Sequence, residues 1–93
     1  MKKILVSILI TNYNKSNYLK KAINSCLIQD FKDKEVLVFD DCSTDNSLKI
    51  LKKFKNITIV KNKTKRFKSG PLNQIHGLCQ LFKTSKGNII FLL

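Results

Sequence analysis

Ninety-three residues allow one small domain, burying roughly 65% of its unfolded surface, and a hydrophobic content of 43% excludes a chain disordered by composition. The net charge is +12, from 18 Lys+Arg against 6 Asp+Glu, yet Arg66 is the only arginine, which disfavours a nucleic-acid binder reliant on bidentate arginine contacts. The lysine excess fits the coding bias of an AT-rich genome, or attraction to nucleotide phosphates or an anionic membrane surface.

Met1-Lys2-Lys3 and the apolar run Ile4–Ile10 are too short, and interrupted by Ser7, for a signal peptide. The run reads as a first strand, apolar enough to be buried on both faces of a parallel sheet. The polar turn Thr11-Asn12-Tyr13-Asn14 follows at its carboxyl end. Lys15–Ile28 has helical period, with Tyr18, Leu19, Ala22, Ile23, Cys26 and Leu27 on one stripe and Ser16 as N-cap. Phe31, in the loop that follows, is expected to tuck into the core.

Glu35–Phe39 is a second buried strand, and Asp40-Asp41 ends it. Ser43 is the expected N-cap of a second helix, running from Thr44 to about Lys53, with Asp45 favoured by its dipole. Paired acids at the carboxyl end of a strand lie where open α/β sheets bind ligands. Two readings stand: Asp40 caps the turn while Asp41 is solvated, or the pair holds donors or a cation. Cys42 follows as a small turn residue, poorly suited to a left-handed conformation.

Asn56–Val60 is a short third strand, followed by a basic loop, Lys61–Ser69, expected to be solvated, with Arg66 as its one candidate for a phosphate contact. Gly70-Pro71 opens a third helix, with Leu72, Ile75, Leu78, Cys79 and Phe82 as its buried stripe and Gly87 as its C′ residue. His76 reads as a helix-packing or surface residue. Asn88–Leu93 is the fourth strand. Cys26 and Cys79 are expected in the core, and the widely spaced cysteines, without a C-x-x-C pair, fit reduced thiols and not zinc.

Four strands alternating with three helices predict an α/β, Rossmann-like three-layer sandwich with a parallel sheet in the order 3-2-1-4. The switch point then lies between the first and fourth strands.

The ordered set Val6–Asn14, Leu19, Ala22, Ile23, Ser25 and Gln29, Glu35–Ser47 and Lys86–Leu93 resembles the family 2 glycosyltransferases of the GT-A fold. The resemblance covers almost the whole chain. It implies that residues 1–93 are the N-terminal nucleotide-binding half of such a domain. Tyr13 then stacks on the nucleotide base, Thr11 neighbours it, Asp41 accepts from the base N–H, and Asp40 supports Asp41 or the ribose. Read without the resemblance, Tyr13 is a half-buried loop aromatic. The implied donor is a nucleotide sugar, UDP favoured over GDP, for transfer to a cell-surface polysaccharide or glycolipid at the cytoplasmic face of a membrane.

The family's Ala-Arg-Asn motif is absent from the third helix, so its arginine has no counterpart here. The family's Mg²⁺ or Mn²⁺ is held by a DxD-type cluster just after the fourth strand, and this chain ends at Leu93. No catalytic residue and no metal ligand is therefore assigned. The expectation is an inactive chain, either a truncated or split reading frame or the fragment of a longer enzyme, whose sheet a second polypeptide carrying the catalytic half could complete. The rivals are a basic module for RNA or membrane, disfavoured if Phe31, Phe39, Phe54, Phe82 and Phe91 are core, and a phosphoacceptor receiver domain, whose acids follow the first strand. A dinucleotide-binding unit lacks its G-x-G-x-x-G.

Overall fold

The computed structural model describes residues 5–29, 33–65 and 68–93. The elements are β1 (Val6–Asn12), α1 (Ser16–Leu27), β2 (Lys34–Asp40), α2 (Ser47–Lys52), β3 (Ile57–Lys61), α3 (Gly70–Thr84) and β4 (Ile89–Leu92). The strands form one parallel sheet in the order β3-β2-β1-β4, as expected.

Alternation along β1 and β2 builds both cores. Val6, Ile8 and Ile10 of β1 and Val36 and Val38 of β2 pack with Leu19, Ile23 and Cys26 of α1 and Leu51 of α2. Leu9, Leu37 and Phe39 point to the other face and meet Leu81 of α3. Successive strand residues face opposite sides, so a strand covered by helices on both sides must be apolar throughout. Leu9, Leu37, Leu51 and Leu81 are essentially sealed from solvent, each burial contributing roughly 1.5–3 kcal/mol.

The central strands run further than their apolar residues indicate: β1 continues through Thr11 and Asn12, and β2 through Asp40, pairing Asn12 with Asp40. Ser16 begins α1, and Lys15, not Ser16, is its cap residue. Tyr18 is exposed, not part of the apolar stripe. The second helix starts at Ser47, with Asn46 as its cap residue. Residues 43–45 are drawn into bonds with the first loop: the Ser43 hydroxyl accepts from the Asn14 N–H at 3.0 Å, and Asn14 Oδ1 accepts from the Thr44 and Asp45 N–H groups at 2.7 and 3.2 Å. Ser43 is therefore a brace between loops and not a helix cap.

The third helix is rotated from its expected orientation. Asn73, Gly77 and Leu81 are buried, while Leu72, Ile75 and Phe82 are exposed. Gly77 decides this, because a Cβ there would lie 2.5 Å from Cδ2 of Phe39, so the helix backbone sits directly on that ring. The His76 ring meets the same ring edge-on, 5.9 Å between centroids. Cys79 is exposed, against expectation, whereas Cys26 is buried. Phe82 and Phe91 are exposed, Phe39 is buried, and Phe54 is half-buried against the α1/α2 core. Phe31 lies outside the described residues.

Gly87 is not a left-handed helix terminator: no glycine has positive φ among the described residues, and α3 ends at an extended Ser85. Gly87 instead lets the chain pass against β1. A Cβ there would collide with the Ser7 hydroxyl and lie 2.8 Å from both the Leu5 carbonyl oxygen and the Ser7 nitrogen.

Candidate functional site

The carboxyl ends of β1, β2 and β3 lie side by side and are joined across the loops. The Asp41 N–H donates to the Asn12 carbonyl at 2.9 Å, and the Asn62 N–H to the Asp40 carbonyl at 2.9 Å. The two acids of the Asp40-Asp41 pair then diverge. Asp40 is 2% exposed. Its Oδ1 accepts from Asn12 Nδ2 at 3.0 Å, and its Oδ2 accepts from the Ser43 N–H at 3.1 Å. Asn12 Nδ2 also donates to the Ser43 hydroxyl at 3.2 Å. Asp40 thus fastens the β2–α2 turn to β1.

Asp41 lines a cavity of about 270 Å³ with Thr11, Tyr13, Phe39, Asn73, Lys15 and Lys65. Asn62 Nδ2 donates to its Oδ1 at 2.9 Å. Its Oδ2 carries no bond among the described residues. The structure therefore brings Thr11, Tyr13 and Asp41 together at one cavity and leaves Asp40 behind them as a support. Arg66 lies outside the described residues.

Tyr13 is nearly half exposed, and the Lys65 ammonium sits over its ring, 3.0 Å from the centroid. The basic loop is therefore not simply solvated at Lys65. Asn14, next to Tyr13, holds φ of 50°, and Cys42 holds 59°. Left-handed backbone costs an L-residue roughly 1–2 kcal/mol, less for Asn. Cys42 keeps a bond from Sγ to the Asn62 carbonyl, 3.2 Å. Desolvation and then the Asp41 and Asp40 carboxylates push the Cys42 thiol up, which keeps it protonated and unreactive. Cys42→Gly, which frees the turn of strain, is expected to raise the unfolding free energy by about 0.5–1 kcal/mol. A higher urea midpoint at unchanged slope checks it.

Asp45 closes the back of the turn. Hydrogen bonding from Ser47 and then Ser16 lowers its carboxyl to about 2. The Ser16 N–H reaches Oδ2 at 3.0 Å, and the Ser47 N–H reaches Oδ1 at 2.9 Å. These bonds tie the start of α1 to the start of α2.

Several residues here escape a reading that looks only for acids and aromatics. Asn12 and Asn73 are buried and polar. Asn62 stands immediately after β3 and positions Asp41. The general rule that every strand contributes at the carboxyl edge of an open sheet would have pointed to Asn62. Lys65 carried no signal, since nothing distinguishes it from its neighbouring lysines.

A divalent cation does not fit the residues present. No three His, Cys, Asp or Glu side chains come together among the described residues. Asp40 is engaged by two N–H donors, and two lysines line the cavity of Asp41.

Comparison with known proteins converges. An uncharacterized glycosyltransferase of Nostoc is 48% identical over 46 residues, covering 50% of this chain and 14% of its own. The poly(ribitol-phosphate) β-N-acetylglucosaminyltransferase TarS of Staphylococcus aureus is 42% identical over 52 residues, 54% of this chain and 9% of its own. The chain spans a small part of such relatives. The crystal structure of TarS with UDP-GlcNAc matches at a TM-score of 0.78 and 27% identity, over 97% of this chain and 26% of that one. A mannosyltransferase of Pyrobaculum calidifontis, solved with GDP-Man and Mn²⁺, shares the fold: TM-score 0.76, 22% identity, over 91% of this chain and 25% of that one. Residues 7–91 match the family model of glycosyl transferase family 2, and the chain belongs to that family.

Proposed function

We propose that the cavity at the ends of β1–β3 binds the nucleoside end of a nucleotide-sugar donor, UDP in preference to GDP. The observation that carries this is the meeting of the Tyr13 ring with the Asp41 carboxylate in one cavity, with Oδ2 left to accept. Tyr13 supplies a stacking surface, and Asp41 accepts from the imide N–H of a uracil. Thr11 borders the base. Asp40 acts behind them as a positioning residue. At about 270 Å³ the cavity falls just below the usual range of ligand sites, roughly 300–1,000 Å³. Ribose and diphosphate then lead outward past Lys15 and Lys65. TarS, an N-acetylglucosaminyltransferase, was solved with UDP-GlcNAc, which supports the same donor class here.

The reaction this serves is glycosyl transfer to a cell-surface polysaccharide or glycolipid, at the cytoplasmic side of a membrane. Transfer also needs stabilisation of the leaving diphosphate and a base for the acceptor hydroxyl. The described residues bring no metal-binding cluster together for the first, and none of them is assigned as the second. We assign residues 1–93 donor recognition, as the N-terminal nucleotide-binding half of a GT-A domain. The rival basic module for RNA or membrane is not favoured. The exposed Phe82 lines an apolar groove between α3 and β4 in which Lys83 is the only charged residue among those described, not a lysine-interleaved surface.

Calorimetry with UDP tests the reading. Asp41→Ala and Tyr13→Ala should each weaken binding by about tenfold or more, the size expected for a charged hydrogen bond or a base–aromatic stack. A folded chain that does not bind UDP would overturn it.

A further inference from the structure

The Lys65 ammonium covers one face of the Tyr13 ring, and both residues line the cavity. One ring face cannot hold an ammonium at 3.0 Å and a base together. Lys65 must therefore leave before a base can take that face. Lys65 lines the same cavity as Asp41 and Lys15, so a displaced ammonium stays tethered near whatever the nucleoside carries outward. We infer that Lys65 is a phosphate-dependent latch on the nucleotide site: it closes the Tyr13 face when the site is empty and pairs with the donor's diphosphate when it is filled. This rests on the nucleotide reading of the cavity.

The physical basis is an exchange of partners. A cation over an exposed aromatic ring gains a modest amount. A lysine ammonium on a phosphate oxygen gains more. A nucleotide offers Lys65 the second partner in return for the first, and a nucleoside offers nothing. The latch thus selects for phosphate at the base pocket, and it acts through competition, without any change in the contacts made to the base itself.

The test compares uridine with UDP on the 93-residue chain and on Lys65→Met, which keeps the side-chain stem and removes the charge. Lys65→Met should bind uridine about threefold tighter, because the competitor for the ring is gone. It should bind UDP about fourfold weaker, because the phosphate contact outweighs that gain. The preference for UDP over uridine then falls by about tenfold. Lys15→Met, which removes a cavity lysine that is not on the ring, should weaken UDP and leave uridine unchanged.

A second readout is independent of affinity. The Lys65 ε-methylene protons should be shifted upfield by the Tyr13 ring in the free chain. They should return to an ordinary position in Tyr13→Leu and on saturation with UDP. If UDP binds and Lys65→Met moves both ligands in the same direction or neither, the latch is wrong and the nucleotide site stands. Unshifted ε-protons in the free chain also overturn the latch. If UDP does not bind the chain at all, the nucleotide reading falls and the latch with it.

Discussion

Asp40→Ala is expected to lower the unfolding free energy by about 3 kcal/mol, while Asp41→Ala one residue away lowers it by about 1 kcal/mol. The difference comes from what each carboxylate leaves behind. Removing the Asp40 carboxylate strands the Ser43 N–H and one of the two Asn12 Nδ2 hydrogens, the other keeping the Ser43 hydroxyl, in a place where Asn12 itself is buried. Each unsatisfied buried donor costs roughly 1–3 kcal/mol. Removing the Asp41 carboxylate strands only Asn62 Nδ2, in a part-buried position. Domains of this size have about 5–15 kcal/mol in all, so the first loss is a large fraction of stability and the second a small one. Asp40→Asn should fall between, since its amide keeps one acceptor and turns an N–H toward the other donor. Urea denaturation of the three variants checks the order, and UDP titration checks the converse, because Asp41→Ala should lose binding at a temperature where it remains folded. Equal destabilisation by the two alanine variants would mean that the pair works as a unit.

The two acids are adjacent and alike in sequence, and their division of labour was not legible there. It follows from the pleat: Asp40 pairs with Asn12 as the last rung of β1–β2, so Asp40 is enclosed and Asp41 opens on the cavity. What was legible was the architecture. Continuous apolar runs at β1 and β2 can only be central parallel strands, and alternation of strand and helix with right-handed crossovers leaves few strand orders. The rotation of α3 was not legible, because Leu72, Ile75, Cys79 and Phe82 mark a stripe that the structure leaves exposed, with only Leu78 of the expected set packed against the core. Gly77 lying flat on Phe39 outranked that stripe, and a glycine gives no sign in advance of which ring will meet it. The late start of α2 has the same origin. Ser43 and Asp45 have good local capping chemistry, but Asn14, from a loop 30 residues away, takes up the Thr44 N–H. Tertiary partners override local preference where loops from different strands converge, which is also where the candidate site lies.

Gly87→Ala should detach β4 from the sheet while leaving the rest in place, at a cost of about 3 kcal/mol. Two of the three atoms that a Cβ would meet are backbone atoms of Leu5 and Ser7, so no side-chain rotation relieves the clash and the β4 segment itself must move. Its anchors are few. The Gly87 N–H donates to the Ser7 hydroxyl at 2.9 Å, and the Lys86 N–H and that same hydroxyl both donate to Glu35 Oε2, at 2.6 and 2.5 Å. Beyond them, Asn88 and Ile89 donate to the Leu5 carbonyl and Leu93 to that of Leu9. A shift at Gly87 strains this whole set, because among the described residues β4 pairs only with β1. Hydrogen exchange gives the discriminating measurement. The amides of Asn88, Ile89 and Leu93 should lose protection in Gly87→Ala, while those of β2 and β3 keep theirs. UDP binding should persist, since Tyr13, Asp41 and Asn62 all hang from β1–β3. Uniform loss of protection across the sheet would instead make β4 part of the cooperative core, and unchanged protection at Leu93 would show that β1 can yield to an added methyl group.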